Sequence, residues 1–221
     1  MYLPAHFAES RPEVLLRLVR DHPFGLLVTL GPDGIDANSV PFFLDADPAG
    51  GPGILRAHVA RANPVWRDAR SDVDSLVVFQ GAQTYVSPAW YPSKAEHGKV
   101  VPTWNYVMVQ GRGRLRAIDD AAWLQAFVSR LTDHHEGERA RQAATQAGPW
   151  AVTDAPADYI DGMLRAIVGL EIVLTSLVGK WKVSQNRPAA DREGVASGLA
   201  DIAGSDAAAM AREVLDPGHD R

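Results

Sequence analysis

FQGAQTYVSPAWYPSKAEHGKVVPTWNYVMVQGRGRLR, running from Phe79 to Arg116, holds the densest mixture of aromatic, amide, glycine and basic residues in the chain. Its flanks read as strands, Gln83–Ser87 and Thr103–Arg116. Its middle, Pro88–Pro102, reads as a loop, because proline fixes the backbone and glycine frees it. A strand sends successive side chains to opposite faces. One face of the second strand is therefore Asn105, Val107, Val109, Gly111, Gly113 and Leu115, suited to the interior of a barrel or sandwich. The other is Trp104, Tyr106, Met108, Gln110, Arg112, Arg114 and Arg116, aromatic at one end and cationic at the other. A face of that kind points to a cofactor or a second subunit.

Outward from this stretch, further strands are expected at Gly25–Leu30, Ile35–Leu44, Ile54–Ala60 and Ser75–Gln80. Gly31-Pro32-Asp33-Gly34 is a turn between the first two, and Pro41 calls for an edge or a bulge. Six strands at short intervals, with little helix between them, imply a sheet closed into a barrel. Ser10 and Glu13 have capping-box spacing ahead of a helix over Arg11–Asp21, and Asn63 can cap a short helix ending near Ala69. Residues 120–166 form a helical insert, with helices expected over Ala121–Asp133, Glu136–Gln146 and Ala157–Ala166. VGLEIVLTSLVGKWKVS, Val168–Ser184, reads as a final long strand or strand pair, continuous enough to lie in the sheet interior. A helix over Pro188–Leu199 follows. The expected organisation is one mainly β domain, 1–200, with a helical insert, and a flexible tail, 201–221.

Net charge is −5, which counts against a large phosphate-binding surface and hence against a dedicated nucleic-acid binder. The chain has no cysteine, so disulfides, thiolate metal sites and cysteine nucleophiles are out. No apolar run approaches the ~20 residues needed to cross a bilayer, and Met1–Ser10 lacks the pattern of a signal peptide. A cytoplasmic protein with no membrane contact is the plain expectation. P-loop, G-x-S-x-G and H-E-x-x-H motifs are absent from the sequence.

Two basic groupings remain. Arg56 and His58 share a strand face with Arg61 just beyond. That spacing fits a grip on a phosphate monoester, since arginine binds phosphate in a bidentate fork, and it fits a surface ion-pair strand equally well. Lys180, Lys182, Ser184 and Asn186 share a face of the last strand, with Gln185 opposite. They suit an anion site or an edge strand defended by lysines. Trp90, Tyr91, Trp104 and Tyr106 can wall a planar ring or fill a core or dimer seam. Grouped beside Lys94, Thr103 and Asn105, they favour a pocket with apolar walls and a few placed polar groups.

MYLPAHF, HPFGLLVT, LRAHVARANPVWR, YVSPAWYPSK, VPTWNY and GKWKVSQNR, in this order, resemble the PaiB-type family, the FMN-binding negative transcriptional regulators. The resemblance implies a split β-barrel of the flavin-binding type and a homodimer with FMN at the subunit interface. It implies a phosphate-side strand at Arg56, His58 and Arg61, and a segment reaching the flavin or the dimer seam at Trp104, Asn105 and Tyr106. A closing polar strand is implied at Lys180, Lys182, Gln185 and Asn186. Regulation of transcription does not require DNA contact by this chain, and the mixed charges of the insert show no helix-turn-helix pattern. The alternative is an FMN-dependent oxidoreductase, a flavin reductase or oxidase that does not bind DNA, in which the cofactor carries the chemistry. A third possibility is a barrel that has lost its cofactor and serves as a dimeric interaction module.

Overall fold

The computed structural model describes residues 1–142 and 148–217. In chain order the elements are β1 (Ala8–Glu9), α1 (Pro12–Asp21), β2 (Phe24–Gly31), β3 (Gly34–Pro41), β4 (Phe43–Asp45), β5 (Ile54–Ala60) and α2 (Val65–Asp68). Then follow β6 (Ser75–Val86), α3 (Ser93–His97), β7 (Thr103–Ile118), α4 (Ala121–Gln142), α5 (Ala157–Arg165), β8 (Ile167–Lys182), α6 (Ala189–Ala200) and α7 (Ser205–Leu215). The strands join in the order β3-β2-β6-β7-β8-β5-β4, with β1 added on β8. No helix among the described residues is long and apolar enough to cross a membrane.

The chain divides into two compact units built from interleaved segments. The first unit holds Met1–Gly25, Val77–Gly111 and Ser176–Arg221, and the second holds Leu26–Leu76 and Arg112–Thr175.

In the first unit the stripe of Val14, Leu15, Leu18 and Val19 is buried on one face of α1, as helical spacing requires. The expected capping box of Ser10 and Glu13 does not form. Arg11 is the N-cap and no side chain caps the helix; just ahead of it the Glu9 carboxylate accepts the Arg11 amide at 2.9 Å and a guanidinium N–H at 2.6 Å. β6 is one unbroken strand rather than two. The alternation expected in β7 holds: Asn105, Val107, Val109 and Gly111 are buried, and Trp104 is exposed. Residues 201–221, expected as a loose tail, carry helix α7, which buries Ala207, Met210 and Val214. Three apolar side chains on one helical face are enough to hold it down, and the alanine-rich composition that suggested a tail also favours helix. Residues 218–221 lie outside the described residues.

In the second unit, β4 pairs antiparallel with β5, Phe43 opposite Arg56 and Asp45 opposite Ile54. β5 pairs antiparallel with β8 from Ile54↔Val173 to Ala60↔Ile167. Leu55, Ala57, Leu170 and Ile172 are fully buried in this ladder. The strand expected over Ile35–Leu44 is two strands, broken after Pro41, which has no amide to donate to a ladder. Asn63 accepts the Val65 amide at 3.0 Å and so starts α2. The helices expected either side of residue 135 are one, α4; positions 143–146 of that expectation lie outside the described residues. Gly169 admits the Trp123 ring, which a Cβ there would meet at 2.3 Å.

Two glycines test this packing with opposite signs. A Cβ on Gly113 would stand 2.2 Å from the Val173 carbonyl oxygen, which belongs to backbone and cannot swing aside. A Cβ on Gly137, inside α4, would meet nothing within 4 Å. Gly113→Ala is expected to lower stability by about 1–3 kcal/mol through overpacking. Gly137→Ala is expected to raise it by about 0.5–1 kcal/mol through helix propensity. A urea midpoint that rises for Gly113→Ala, or falls for Gly137→Ala, would contradict the assignment of that position.

Candidate functional site

β8 ends at Lys182, and the backbone then turns sharply at Ser184. At φ 66° Ser184 is the one non-glycine residue with positive φ among those described. A left-handed serine costs on the order of 1–3 kcal/mol and persists only where its surroundings hold it. Here Asn105 donates from Nδ2 to Ser184 Oγ at 2.9 Å, and both residues are buried. Gln185 adds a second clasp: its Oε1 accepts the Val183 amide at 2.8 Å and its amide donates to the Trp181 carbonyl.

The turn delivers Asn186 and Arg187 to a cavity of about 120 Å³ that Lys182, Ser184, Thr103 and Asn105 also line. Tyr91 and Phe7 complete its walls. Lys182 donates to Thr103 Oγ1 at 2.5 Å and to the Trp104 carbonyl. Burial pushes its pKa below the ordinary lysine value, and the nearby charges of Lys180 and Arg187 push the same way. The Arg187 guanidinium lies over the Tyr91 ring at 4.9 Å. Burial raises the pKa of the Tyr91 phenol, against the opposite pull of the nearby Arg187 guanidinium and Ser184 hydroxyl, and the buried hydroxyl has no well-aligned hydrogen bond among the described residues. A buried hydroxyl without a partner is costly, and a cavity lined by donors lies beside it. The arrangement can therefore accept a compact anion that brings several acceptor oxygens.

The loop carrying Tyr91 is fastened from α6. Asp191, buried, accepts from the Ser93 amide at 3.1 Å and from its hydroxyl at 2.8 Å. Gly194 and Gly198 of α6 leave room for Trp90, whose carbonyl oxygen a Cβ on Gly194 would meet at 2.1 Å.

Of the residues singled out in the sequence, the structure brings Thr103, Asn105, Lys182 and Asn186 together around this cavity. Gln185 supports the turn. Lys180 is buried beside it in the chain, donating to the Tyr2 carbonyl at 3.1 Å, with the rings of Tyr2 and Tyr106 at 5.6 and 5.3 Å from its ammonium. Trp104 is exposed and meets Tyr85 edge-on at 6.3 Å. Lys94 is exposed on α3. Strand alternation was expected to carry Asn186 to this face; the left-handed turn does so instead. Arg187 was not singled out, although it closes the same SQNR run and answers to the same anion chemistry.

Arg56, His58 and Arg61 lie in the second unit, each engaged within it. Arg56 Nε donates to Glu171 at 2.9 Å, and Nη1 pairs with Asp45. Arg61 holds Asp119 through two bonds of 2.8 and 2.6 Å, and donates to the carbonyls of Arg165 and Ile167. His58 meets Phe127 edge-on at 6.2 Å, its buried Nδ1 has no hydrogen-bond partner among the described residues, and burial lowers its pKa. Its strand face is thus structural in contact as well as basic in composition. No cluster of metal-ligating side chains occurs among the described residues.

Residues 1–176 match a family model described as "Putative FMN-binding domain". An uncharacterized protein of Emericella nidulans is 34% identical over 94% of this chain and 93% of its own length. The protease synthase and sporulation protein PAI 2 of Bacillus subtilis is 26% identical over 98% of this chain and 97% of its own. Among solved structures, the flavocytochrome Anf3 from Azotobacter vinelandii superposes with a TM-score of 0.56 at 12% identity, covering 79% of this chain and 69% of that one. That likeness speaks for the fold alone.

Glu171 makes the structural reading of Arg56 testable. Burial alone would raise its carboxyl pKa, but the bonds from Arg56 and from Arg116, at 2.6 Å, reverse this and hold it below the ordinary 4.5. A depressed carboxyl contributes stability that is present above 4.5 and lost as pH falls through its lowered value. Glu171→Gln is expected to cost about 1–3 kcal/mol at neutral pH and to flatten the acid limb of stability. Parallel urea curves for the wild type and variant at every pH would refute the role assigned to this carboxylate.

Proposed function

We propose, for a chain that belongs to the PaiB-type family of flavin-binding split β-barrels, that it binds FMN and works as a homodimeric negative regulator of transcription. The observation that carries the FMN reading is the buried Tyr91 hydroxyl, without a well-aligned hydrogen bond among the described residues, in a cavity ringed by Lys182, Asn186 and Arg187. A terminal phosphate monoester offers the charge and the acceptor oxygens such a donor set is built for. In this reading Lys182 and Arg187 hold the phosphate, Asn186 and Tyr91 bond its oxygens, and Asn105 keeps the turn in place. Bound flavin supplies redox chemistry, and the protein positions it.

The cavity, about 120 Å³, is the size of a headgroup and falls short of the ~300 Å³ or more of pockets that enclose a drug-sized ligand. A three-ring system must therefore lie against another surface. The exposed pair Trp104 and Tyr85 offers one wall, and a second copy of the chain the other, which supports the homodimer.

One observation favours the second reading, an FMN-dependent oxidoreductase that leaves DNA alone. The cationic face of β7 is partly spent: Arg114 pairs with Asp74 at 2.9 Å and Arg116 with Glu171 at 2.6 Å. With a net charge of −5, little free positive charge is left there for a duplex.

Purified protein should carry flavin absorbance, and mass analysis of the released chromophore should give FMN rather than FAD. Lys182→Gln is expected to weaken FMN binding by roughly tenfold or more, the worth of one charge-assisted bond. A colourless protein with no thermal shift on adding FMN would sink the cofactor assignment. Salt-titrated duplex binding and anaerobic mixing with NADH or NADPH separate the two readings. Salt-sensitive DNA affinity belongs to a direct regulator, and a bleached flavin spectrum to a reductase.

A further inference from the structure

A second, larger cavity of about 470 Å³ shares no lining residue with the one beside Tyr91. Both lie within the first unit. Its walls are two helices. Val14, Leu18 and Asp21 recur at helical spacing along α1, and Asp206, Ala209 and Glu213 do the same along α7. Its floor is Ala82 of β6, Val107 of β7 and Trp181 of β8, all buried. The volume falls in the ~300–1,000 Å³ range of small-molecule sites, which pair an apolar surface with a few polar groups. None of its lining residues takes part in the flavin reading, so that reading does not account for it.

The charges on these walls are of both signs. Arg212 lines the cavity from α7, and its guanidinium has no hydrogen bond or ion pair among the described residues. The same holds for the carboxylates of Asp206, on α7, and Asp21, at the end of α1. Glu213 is already engaged, accepting the Trp181 indole N–H at 3.0 Å, so it stiffens the floor. Arg17 and Asp216 also line the cavity, each engaged in an interaction of its own, so an anionic guest would answer chiefly Arg212 and face the carboxylates of Asp206 and Asp21. A cationic guest would answer the carboxylates and face the guanidinium. A guest with a carboxylate and an ammonium close together, on an apolar body, satisfies both sets and covers the floor.

We propose that the α1–α7 cavity binds a hydrophobic α-amino acid, or a small molecule with the same zwitterionic head and apolar body. Arg212 takes the carboxylate through its planar fork. Asp206 and Asp21 take the ammonium from opposite walls, and the side chain rests on Val14, Leu18 and Val107.

Isothermal titration of the full chain with L-phenylalanine, L-leucine, L-phenylalanine methyl ester and N-acetyl-L-phenylalanine tests this. The ester removes the negative charge and the acetyl group removes the positive one. At least one free amino acid should bind, and both blocked forms should bind at least ~10-fold more weakly, the loss expected when one charged contact goes. Arg212→Gln and Asp206→Asn, both at exposed positions, should each weaken binding about fivefold or more while leaving circular dichroism and FMN uptake as in the wild type. Absence of heat with both free amino acids overturns the proposal. So does a blocked form that binds as well as its parent, or a folded variant that binds like the wild type. FMN uptake, measured separately, keeps failure here distinct from failure of the flavin reading.

Discussion

A buried amide and a buried hydroxyl, Asn105 and Ser184, hold each other where β7 begins and β8 has just ended. Either group left alone in that position would cost on the order of 1–3 kcal/mol, so each requires the other. The pair has a consequence larger than its own energy. It holds Ser184 in a left-handed conformation that a serine would otherwise avoid, and that conformation turns the chain off the strand. Asn186 and Arg187 then arrive beside Lys182 instead of continuing along a strand. Lys182 in turn tolerates partial burial because the Thr103 hydroxyl and the Trp104 carbonyl, in the two positions before Asn105, accept its hydrogen bonds.

The distribution of carboxylates separates structural cations from available ones. In the second unit Glu171 engages Arg56 and Arg116, Asp119 engages Arg61, and Asp74 engages Arg114. Those arginines stabilise the fold locally and have little to offer an anion. In the first unit Lys180, Lys182 and Arg187 have no carboxylate partner among the described residues. Two of them face tyrosine rings, Lys180 those of Tyr2 and Tyr106 and Arg187 that of Tyr91. An aromatic face keeps a cation in place without neutralising it. Positive charge thus persists where the cavity is.

The C-terminal helices serve that region in two ways. α6 reaches the loop of Tyr91 through Asp191 and through the space left by Gly194 and Gly198 for Trp90. α7 covers the Trp181 side of β8 and carries Glu213 to its indole. A segment whose composition resembles a solvated tail is therefore packed structure, because three of its alanine-neighboured apolar residues share one face.

The two-residue period of Thr103–Arg116 determined by itself which face of β7 is buried, since a pleated backbone leaves no other choice once a core lies on one side. Proline at 41 and the α1 stripe were equally legible, being local rules of backbone and helix geometry. The family resemblance, carried by runs such as VPTWNY and GKWKVSQNR, was legible as well. The fates of the charged residues were not. Whether Arg56 meets a ligand or Glu171 depends on a carboxylate 115 positions away in the chain. Whether Arg187 joins the cavity depends on a turn held from 79 positions away. The capping box expected of Ser10 and Glu13 likewise does not form, and the Arg11 amide goes to the Glu9 carboxylate instead. Local pattern sets what each strand and helix is, and only the folded chain sets which opposite charges come close enough to cancel and which are left to bind something else.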